Sequence, residues 1–353
     1  MNKRVMRIPA EKQYASELEA LVTHDAAKPP CGWRMSPGAV KAFILGGKAG
    51  GVEISKKYIG NQRTVELCIA ALMTGCGLLL KGHPGSGKSY LSELLAAAIS
   101  MDSELLVQGT MGTSEEQVKY GFNYAMLISK GHCPEALIPS PIYTAMQMGK
   151  IARFEELSRC CPEIQDCLIS LLSEKAISVP ELGVMARASR GFALIATANT
   201  QDLGSHEMSA ALARRFHCIQ LEPPASFEQE LEIVRLGLAA AGLDAEVDIQ
   251  PGEEQLRKVV TILRELRAGQ TMDGAVHFRR PSSSCSVAEG ISALNGAAAM
   301  ARSFGNGIVS DEDASAVLPG VVIRNGMQDK AALDEYRQAV LKPRGKDWEA
   351  YCE

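Results

Sequence analysis

Gly77-Leu78-Leu79-Leu80-Lys81-Gly82-His83-Pro84-Gly85-Ser86-Gly87-Lys88-Ser89 is the stretch whose reading decides the fold. The first five residues have the length and apolar character of a buried strand. The last eight fit G-x-x-x-x-G-K-[ST], a phosphate-binding loop. Its glycines let the backbone curl until the N–H groups point at one spot. The helix expected over residues 89–99 turns its positive end toward the same spot. Lys88 adds a full charge for β- and γ-phosphates, and Ser89 a hydroxyl for Mg²⁺. Gly82, His83, Pro84, Gly85, Ser86, Gly87, Lys88, Ser89 and the following Tyr90 are therefore candidate nucleotide contacts. A Gly-rich turn without a ligand is the competing reading. The strand before the motif and the helix after it favour the phosphate loop.

Working outward, Ile151-Ala152-Arg153-Phe154-Glu155-Glu156 is a short β-like run ending in two adjacent carboxylates. Strand ends of a parallel sheet converge on the ligand crevice. Paired acids there can divide the work, Glu155 holding Mg²⁺ and Glu156 polarising the attacking water. A solvated Glu-Glu pair is the alternative, and the phosphate loop upstream tips the balance against it. A third strand, residues 191–199, ends in Asn199, whose amide can orient that water. Arg214 and Arg215 then stand between apolar residues, before a strand at Cys218-Ile219-Gln220-Leu221. They read either as a solvated face or as a cation offered to a neighbouring subunit's nucleotide.

Composition sets outer limits. The chain has 353 residues, is 46% hydrophobic and carries a net charge of −4, so two domains are expected and no overall basic footprint for nucleic acid exists. Ten cysteines show no C-x-x-C spacing and read as thiols of a reduced, cytoplasmic protein. Neither a signal peptide nor a membrane span is expected.

Taken together, the phosphate loop, acidic strand, strand ending in Asn and late Arg pair resemble an AAA+ ATPase. Arg153-Phe154-Glu155-Glu156-Leu157-Ser158-Arg159, followed by Pro162-Glu163-Ile164-Gln165 and Leu171-Leu172-Ser173-Glu174, is similar to the MoxR group of that superfamily. Runs 108–117 and 280–289 share the likeness, which covers about residues 35–300. The resemblance implies that Glu155 holds the Walker B metal position and Glu156 the catalytic one. It implies sensor 1 at Asn199 and an arginine finger at Arg215 with Arg214 beside it. Ile59-Gly60 would contact adenine, and Arg280, rather than Arg279, would be sensor 2. One departure stands out: most of the superfamily has Asp where this chain has Glu155. The extra methylene moves the carboxylate about one bond length closer to a metal that is strict about octahedral geometry, so slow hydrolysis is a consequence to test.

The expected fold is an α/β P-loop NTPase core, its parallel sheet covered by helices on both faces, followed by an all-α lid. Residues 1–56 are expected as a helical N-terminal extension, 57–223 as the core and 224–353 as the lid. Gly-rich residues 45–51 read as a flexible link. An insert is expected over residues 123–141, and a hairpin over 176–190. Pro223-Pro224 marks the boundary. Ser226 and Gln229 then fit a capping box on a helix ended by Gly242. Further helices are expected with Leu256, Val259, Val260 and Leu263 on one face, over about 286–303, and over about 328–341. The implied activity is a Mg²⁺-dependent ATPase ring, expected as a hexamer, that remodels a client protein. The resemblance adds a partner carrying a von Willebrand factor A domain. Two alternatives remain: an ATP-gated scaffold with negligible turnover, and a nucleic-acid-associated motor subunit.

Overall fold

The computed structural model describes residues 7–199, 206–244, 249–282 and 284–352. It divides into two compact units. One spans Ile8–His83 and Gly87–Glu222. The other spans Pro223–Glu353, and the loop tip Pro84–Ser86 groups with it.

The first unit is built on a sheet of five strands: β1 (Gly77–Gly82), β2 (Leu106–Gln108), β3 (Ile151–Glu155), β4 (Ala193–Asn199) and β5 (Phe216–Leu221). Their order is β5-β1-β4-β3-β2, and each adjacent pair is parallel. Parallel strands covered on both faces read as continuous apolar runs, which explains Leu78-Leu79-Leu80. All three are 0% exposed. Leu78 and Leu80 pack with Leu91 and Leu94 of helix α1 (Lys88–Ser100), whereas Leu79 packs on the opposite face with Phe154 of β3 and Leu168 of helix α2 (Pro162–Glu174). Burying one such leucine stabilises the fold by about 1.5–3 kcal/mol. The register sets Asn199 opposite Gly82 and Gln108 opposite Glu155. The ends of β1 and β4 therefore lie level, and β3, whose Phe154 pairs with Ala196, ends beside them, at the crevice a doubly covered sheet offers to ligands.

Three N-terminal helices, Ala10–Gln13, Ala15–His24 and Pro37–Leu45, contribute Ala10, Leu18, Leu21, Val40 and Phe43 to the cluster that holds Leu78 and Leu91. The segment expected as a flexible link is instead ordered: Gly47–Ala49 pairs antiparallel with Val52–Ile54. Gly50 and Gly51, at φ 54° and 86°, supply the two left-handed residues that a two-residue hairpin turn requires. The insert is a helix, Tyr124–Lys130, between two short antiparallel strands, Tyr120–Phe122 and Leu137–Pro139. Ala176–Val179 and Val184–Arg187 form the expected hairpin.

The second unit is helical: α3 (Phe227–Asp244), α4 (Glu253–Ala268), α5 (Val287–Phe304), α6 (Asp311–Val322) and α7 (Gly326–Tyr336). Leu256, Val259, Val260 and Leu263 are buried together, as their spacing requires. Ser226 accepts from the Gln229 amide at 3.1 Å, while the Gln229 side chain accepts from Ala225 at 2.8 Å. Helix α3 passes through Gly242 and ends at Asp244, two residues beyond the expected stop. A glycine inside a helix costs about 1 kcal/mol, too little to end one whose flanking turns hold. Helix α6 is a further difference. It carries Pro319, which reads as a breaker, yet Ser310 and Asp313 close a capping box at its start and Leu318, Val321 and Val322 are buried.

Candidate functional site

The phosphate loop leaves β1 at Gly82 and enters α1 at Lys88, with Gly85 and Gly87 in left-handed conformations, φ 74° and 79°. Gly87 is the N-cap and offers no side-chain cap, so the first-turn N–H groups of α1 have no partner within the helix. Lys88 is 8% exposed. Its Nζ donates to the carbonyls of Gly82 at 3.0 Å and His83 at 2.8 Å, which aims the ammonium into the loop. Burial lowers its pKa, and the charges of Glu156 and Glu155 work against that shift. The Oγ of Ser86 is buried without a protein hydrogen-bond partner. An orphaned hydroxyl, an unpaired helix start and an inward lysine make a cradle whose chemistry fits a polyphosphate.

Beside it lies the acidic end of β3. Glu155 is 3% exposed, and both its oxygens are occupied by protein donors. Its Oε2 accepts from Ser89 Oγ at 2.6 Å and Thr197 Oγ1 at 2.7 Å. Its Oε1 accepts from Ser92 Oγ at 2.5 Å and Arg153 Nη2 at 2.9 Å. Burial alone would raise its pKa. The Ser89, Ser92 and Thr197 hydroxyls and the Arg153 charge outweigh that and hold the carboxyl below its usual range. Ser89 Oγ and Glu155 Oε2, hard oxygens in direct contact, are the residues present that fit Mg²⁺.

Glu156 is the next residue, in the left-handed region at φ 58°, ψ 41°. A non-glycine residue there is uncommon and costly, which directs attention to what it achieves. It turns the chain so that Glu156 leaves the strand direction and meets β4: Asn199 Nδ2 donates to Glu156 Oε1 at 3.1 Å, and the Glu156 amide donates to Thr197 Oγ1 at 3.0 Å. Arg159 Nη1 lies 3.9 Å from Glu156 Oε2. Lys88, Ser89, Glu155, Glu156 and Asn199 thus come together from two strand ends and one helix start.

The remaining candidates sit as follows. Ile59 is 9% exposed. A Cβ on Gly60 would lie 2.4 Å from the Tyr58 ring, and one on Gly87 would lie 3.6 Å from the same ring, so Tyr58 joins the Ile59-Gly60 pair to the phosphate loop. Tyr90 is paired with Tyr14. The guanidinium of Arg215 is held by Ser173 Oγ and the Ala211 carbonyl, whereas Arg214 is exposed, its Nε donating to Ala210 at 3.2 Å. Arg280 belongs to the helical unit, exposed, with its stem against Gly269. Sequence reasoning missed Arg153, Ser92, Thr197 and Gly109. Gly109 donates to the Glu155 carbonyl at 2.7 Å, and a Cβ there would meet the Glu156 carbonyl at 2.6 Å. Only a bare backbone fits behind the acidic pair.

This sheet order, with the phosphate loop after β1 and the acidic pair after β3, defines an AAA-type P-loop domain. Residues 77–216 match the AAA domain (dynein-related subfamily). The chain belongs to the same family as YehL, an uncharacterized protein of Escherichia coli strain K12: the two are 39% identical over 354 residues, covering 99% of this chain and 97% of YehL. An uncharacterized protein of Staphylococcus haemolyticus strain JCSC1435 is 30% identical over 171 residues, which are 48% of this chain and 64% of that protein. Among solved structures, NtrX from Brucella abortus has a similar fold, with TM-score 0.50 and 12% identity over 84% of this chain and 62% of NtrX. The NtrX complex with ADP gives 0.51 at 12% identity, over 78% and 58%. The chain therefore spans about six-tenths of the length of NtrX. Among the described residues, no helix is long and apolar enough to cross a membrane.

Proposed function

We propose that this protein is a Mg²⁺-dependent ATP hydrolase of the MoxR type, working in the cytoplasm as a ring, expected as a hexamer, that remodels a client protein. The contact between Asn199 and Glu156 beside the Ser89–Glu155 pair carries this reading, since it puts a candidate base, a metal position and the phosphate loop in one crevice. ADP, named for the NtrX complex, is the kind of ligand the cradle suits. Bound Mg²⁺ would neutralise charge developing on the transferring phosphoryl group. Lys88 supports the phosphates, Asn199 and Glu156 hold the attacking water, and Glu156 takes its proton. Arg215, with Arg214 beside it, supplies a cation to a neighbouring subunit, and Arg280 acts as sensor 2. The MoxR likeness adds a partner with a von Willebrand factor A domain.

The test is Glu156→Gln. It should retain binding of a fluorescent ATP analogue while phosphate release drops by about 100-fold or more, the usual worth of a general base. Turnover at the wild-type rate would remove Glu156 from that role. One observation favours a second reading, an ATP-gated scaffold. Glu155 is fully engaged by protein donors, which is the arrangement expected of a site that binds nucleotide and turns over slowly. Phosphate release too slow to account for any remodelling cycle, with nucleotide affinity intact, would favour the scaffold.

A further inference from the structure

Arg153 has no role in the reading above, yet it is 6% exposed and lies against the metal position. Side chains alternate along β3. Ala152 and Phe154 pack on one face, while Ile151 packs on the other with Leu91 and Leu95 of α1. Arg153 and Glu155 share the Ile151 face and point at α1. That helix meets them with Ser89 and Ser92, three residues apart and so on one side. Their small hydroxyls leave room for a guanidinium and offer it partners. Arg153 Nε donates to Ser92 Oγ, Nη1 to the Ser103 carbonyl and Nη2 to the Ser89 carbonyl, each at 3.0 Å, and Nη2 also reaches Glu155 Oε1 at 2.9 Å.

We propose that Arg153 is a built-in counter-cation for the metal-position carboxylate, setting how strongly Mg²⁺ and ATP reinforce one another's binding. This deepens the assignment of Glu155 to the metal position and rests on it. The division of labour within the cluster supports the role. Ser92 holds Oε1, and Ser89 and Thr197 hold Oε2, so three hydroxyls besides Arg153 hold the carboxylate. What Arg153 adds is charge. With the guanidinium 2.9 Å from Oε1, Glu155 and Arg153 form a neutral pair, and a cation arriving at Oε2 meets that pair and not a bare carboxylate. The site is thereby stable without a metal, at the expense of metal affinity. Arg153 acts through Glu155 and is a positioning residue in that sense.

The readout is the ratio of ATP affinity with saturating Mg²⁺ to that in a chelator, a coupling between two ligands that a merely weaker fold does not move. It is measured on the full chain with a fluorescent ATP analogue, in a Glu156→Gln background. Arg153→Met should raise the ratio by about tenfold, because an uncompensated carboxylate attracts the cation more strongly. Arg153→Lys, which keeps the charge, should stay within about threefold of the parent. A ratio in Arg153→Met that is unchanged or lower overturns the proposal. Should circular dichroism show that variant unfolded, Arg153→Gln, neutral but still able to donate, is held to the same expectation. Glu155→Gln tells the two levels apart. It should lower the ratio by about tenfold. No change there would take Glu155 out of the metal shell and end both ideas. A drop there with no rise in Arg153→Met would end only the role of Arg153.

Discussion

Two buried carboxylates, one in each unit, show how alike a group proposed to hold a metal and a structural one look by burial and satisfaction alone. Glu155 is 3% exposed and Asp329 0%, and each accepts four hydrogen bonds from the described residues. The donors differ in kind. Asp329 takes three from backbone amides, Ser282 at 2.6 Å, Arg324 at 2.8 Å and Asn325 at 2.6 Å, and one from the Ser282 hydroxyl at 2.8 Å. Backbone donors cannot swing away, so Asp329 is a clasp that fastens the segment before α5 to the start of α7. Glu155 is held by rotatable hydroxyls and a guanidinium, and each can exchange its partner for a ligand without unravelling a turn. Where the donors sit, in the backbone or on side chains, separates clasp from site.

The largest separation is expected from converting each acid to its amide. Glu155→Gln should lower phosphate release by about 10–100-fold, the usual cost of disturbing a metal shell. Asp329→Asn should leave nucleotide affinity and turnover of the folded protein within about twofold, and lower unfolding stability by about 3 kcal/mol through lost charge-assisted bonds. Phosphate-release kinetics and urea unfolding measure the two. A turnover loss in Asp329→Asn as large as in Glu155→Gln would break the distinction.

A smaller effect is expected from pH. Burial would raise the Asp329 pKa, but the Ser282, Asn325 and Arg324 amides and the Ser282 hydroxyl outweigh it and hold it at about 2. A folded-state pKa below the unfolded value of about 3.9 means the unfolded chain binds protons first. The clasp's contribution is therefore fully present above about pH 4 and is lost as pH falls to about 2. Urea midpoints followed across that window by helical circular dichroism should fall less steeply in Asp329→Asn than in the parent. Parallel slopes would mean that Asp329 is not the group titrating.

The same contrast explains what could be read from sequence. The phosphate loop was legible because all its parts are contiguous between Gly82 and Ser89, and Glu155-Glu156 because a strand end has a fixed address in a parallel sheet. Strands β1, β3, β4 and β5 followed from apolar runs such as Leu78-Leu79-Leu80. Arg153 and Ser92 were not legible as partners. Their meeting depends on which face of β3 covers which side of α1, and they lie 61 positions apart. Gly109 fits behind the acidic pair only as missing bulk, which no spacing reports. Residues 47–54 carried an ordinary hairpin signal in Gly50-Gly51, hidden by the flanking glycines. Helix α6 was hidden by Pro319, a local signal overruled by the capping box at Ser310 and by the buried Leu318. Asp329 belonged to the expected last helix, but its donors arrive from Ser282 and from a loop with no pattern of its own.

The finest test removes one hydroxyl from each carboxylate. Ser92 Oγ donates to Glu155 Oε1 at 2.5 Å and accepts from Arg153 Nε at 3.0 Å. Ser282 Oγ donates to Asp329 at 2.8 Å, and the amide of the same residue donates to it at 2.6 Å. Ser92→Ala and Ser282→Ala should each lower stability by about 1 kcal/mol, the typical net worth of one hydrogen bond. Unfolding should therefore not tell them apart. The Mg²⁺ dependence of ATP affinity should. Without Ser92, one of the three hydroxyls holding the Glu155 carboxylate is gone, so the ratio of affinities with and without Mg²⁺ should move by a few-fold. Without Ser282 it should not move at all, because the backbone donors of the clasp remain. Equal shifts in the two variants would mean that stability alone sets the metal dependence, and the kind of donor around a buried acid would no longer distinguish site from clasp.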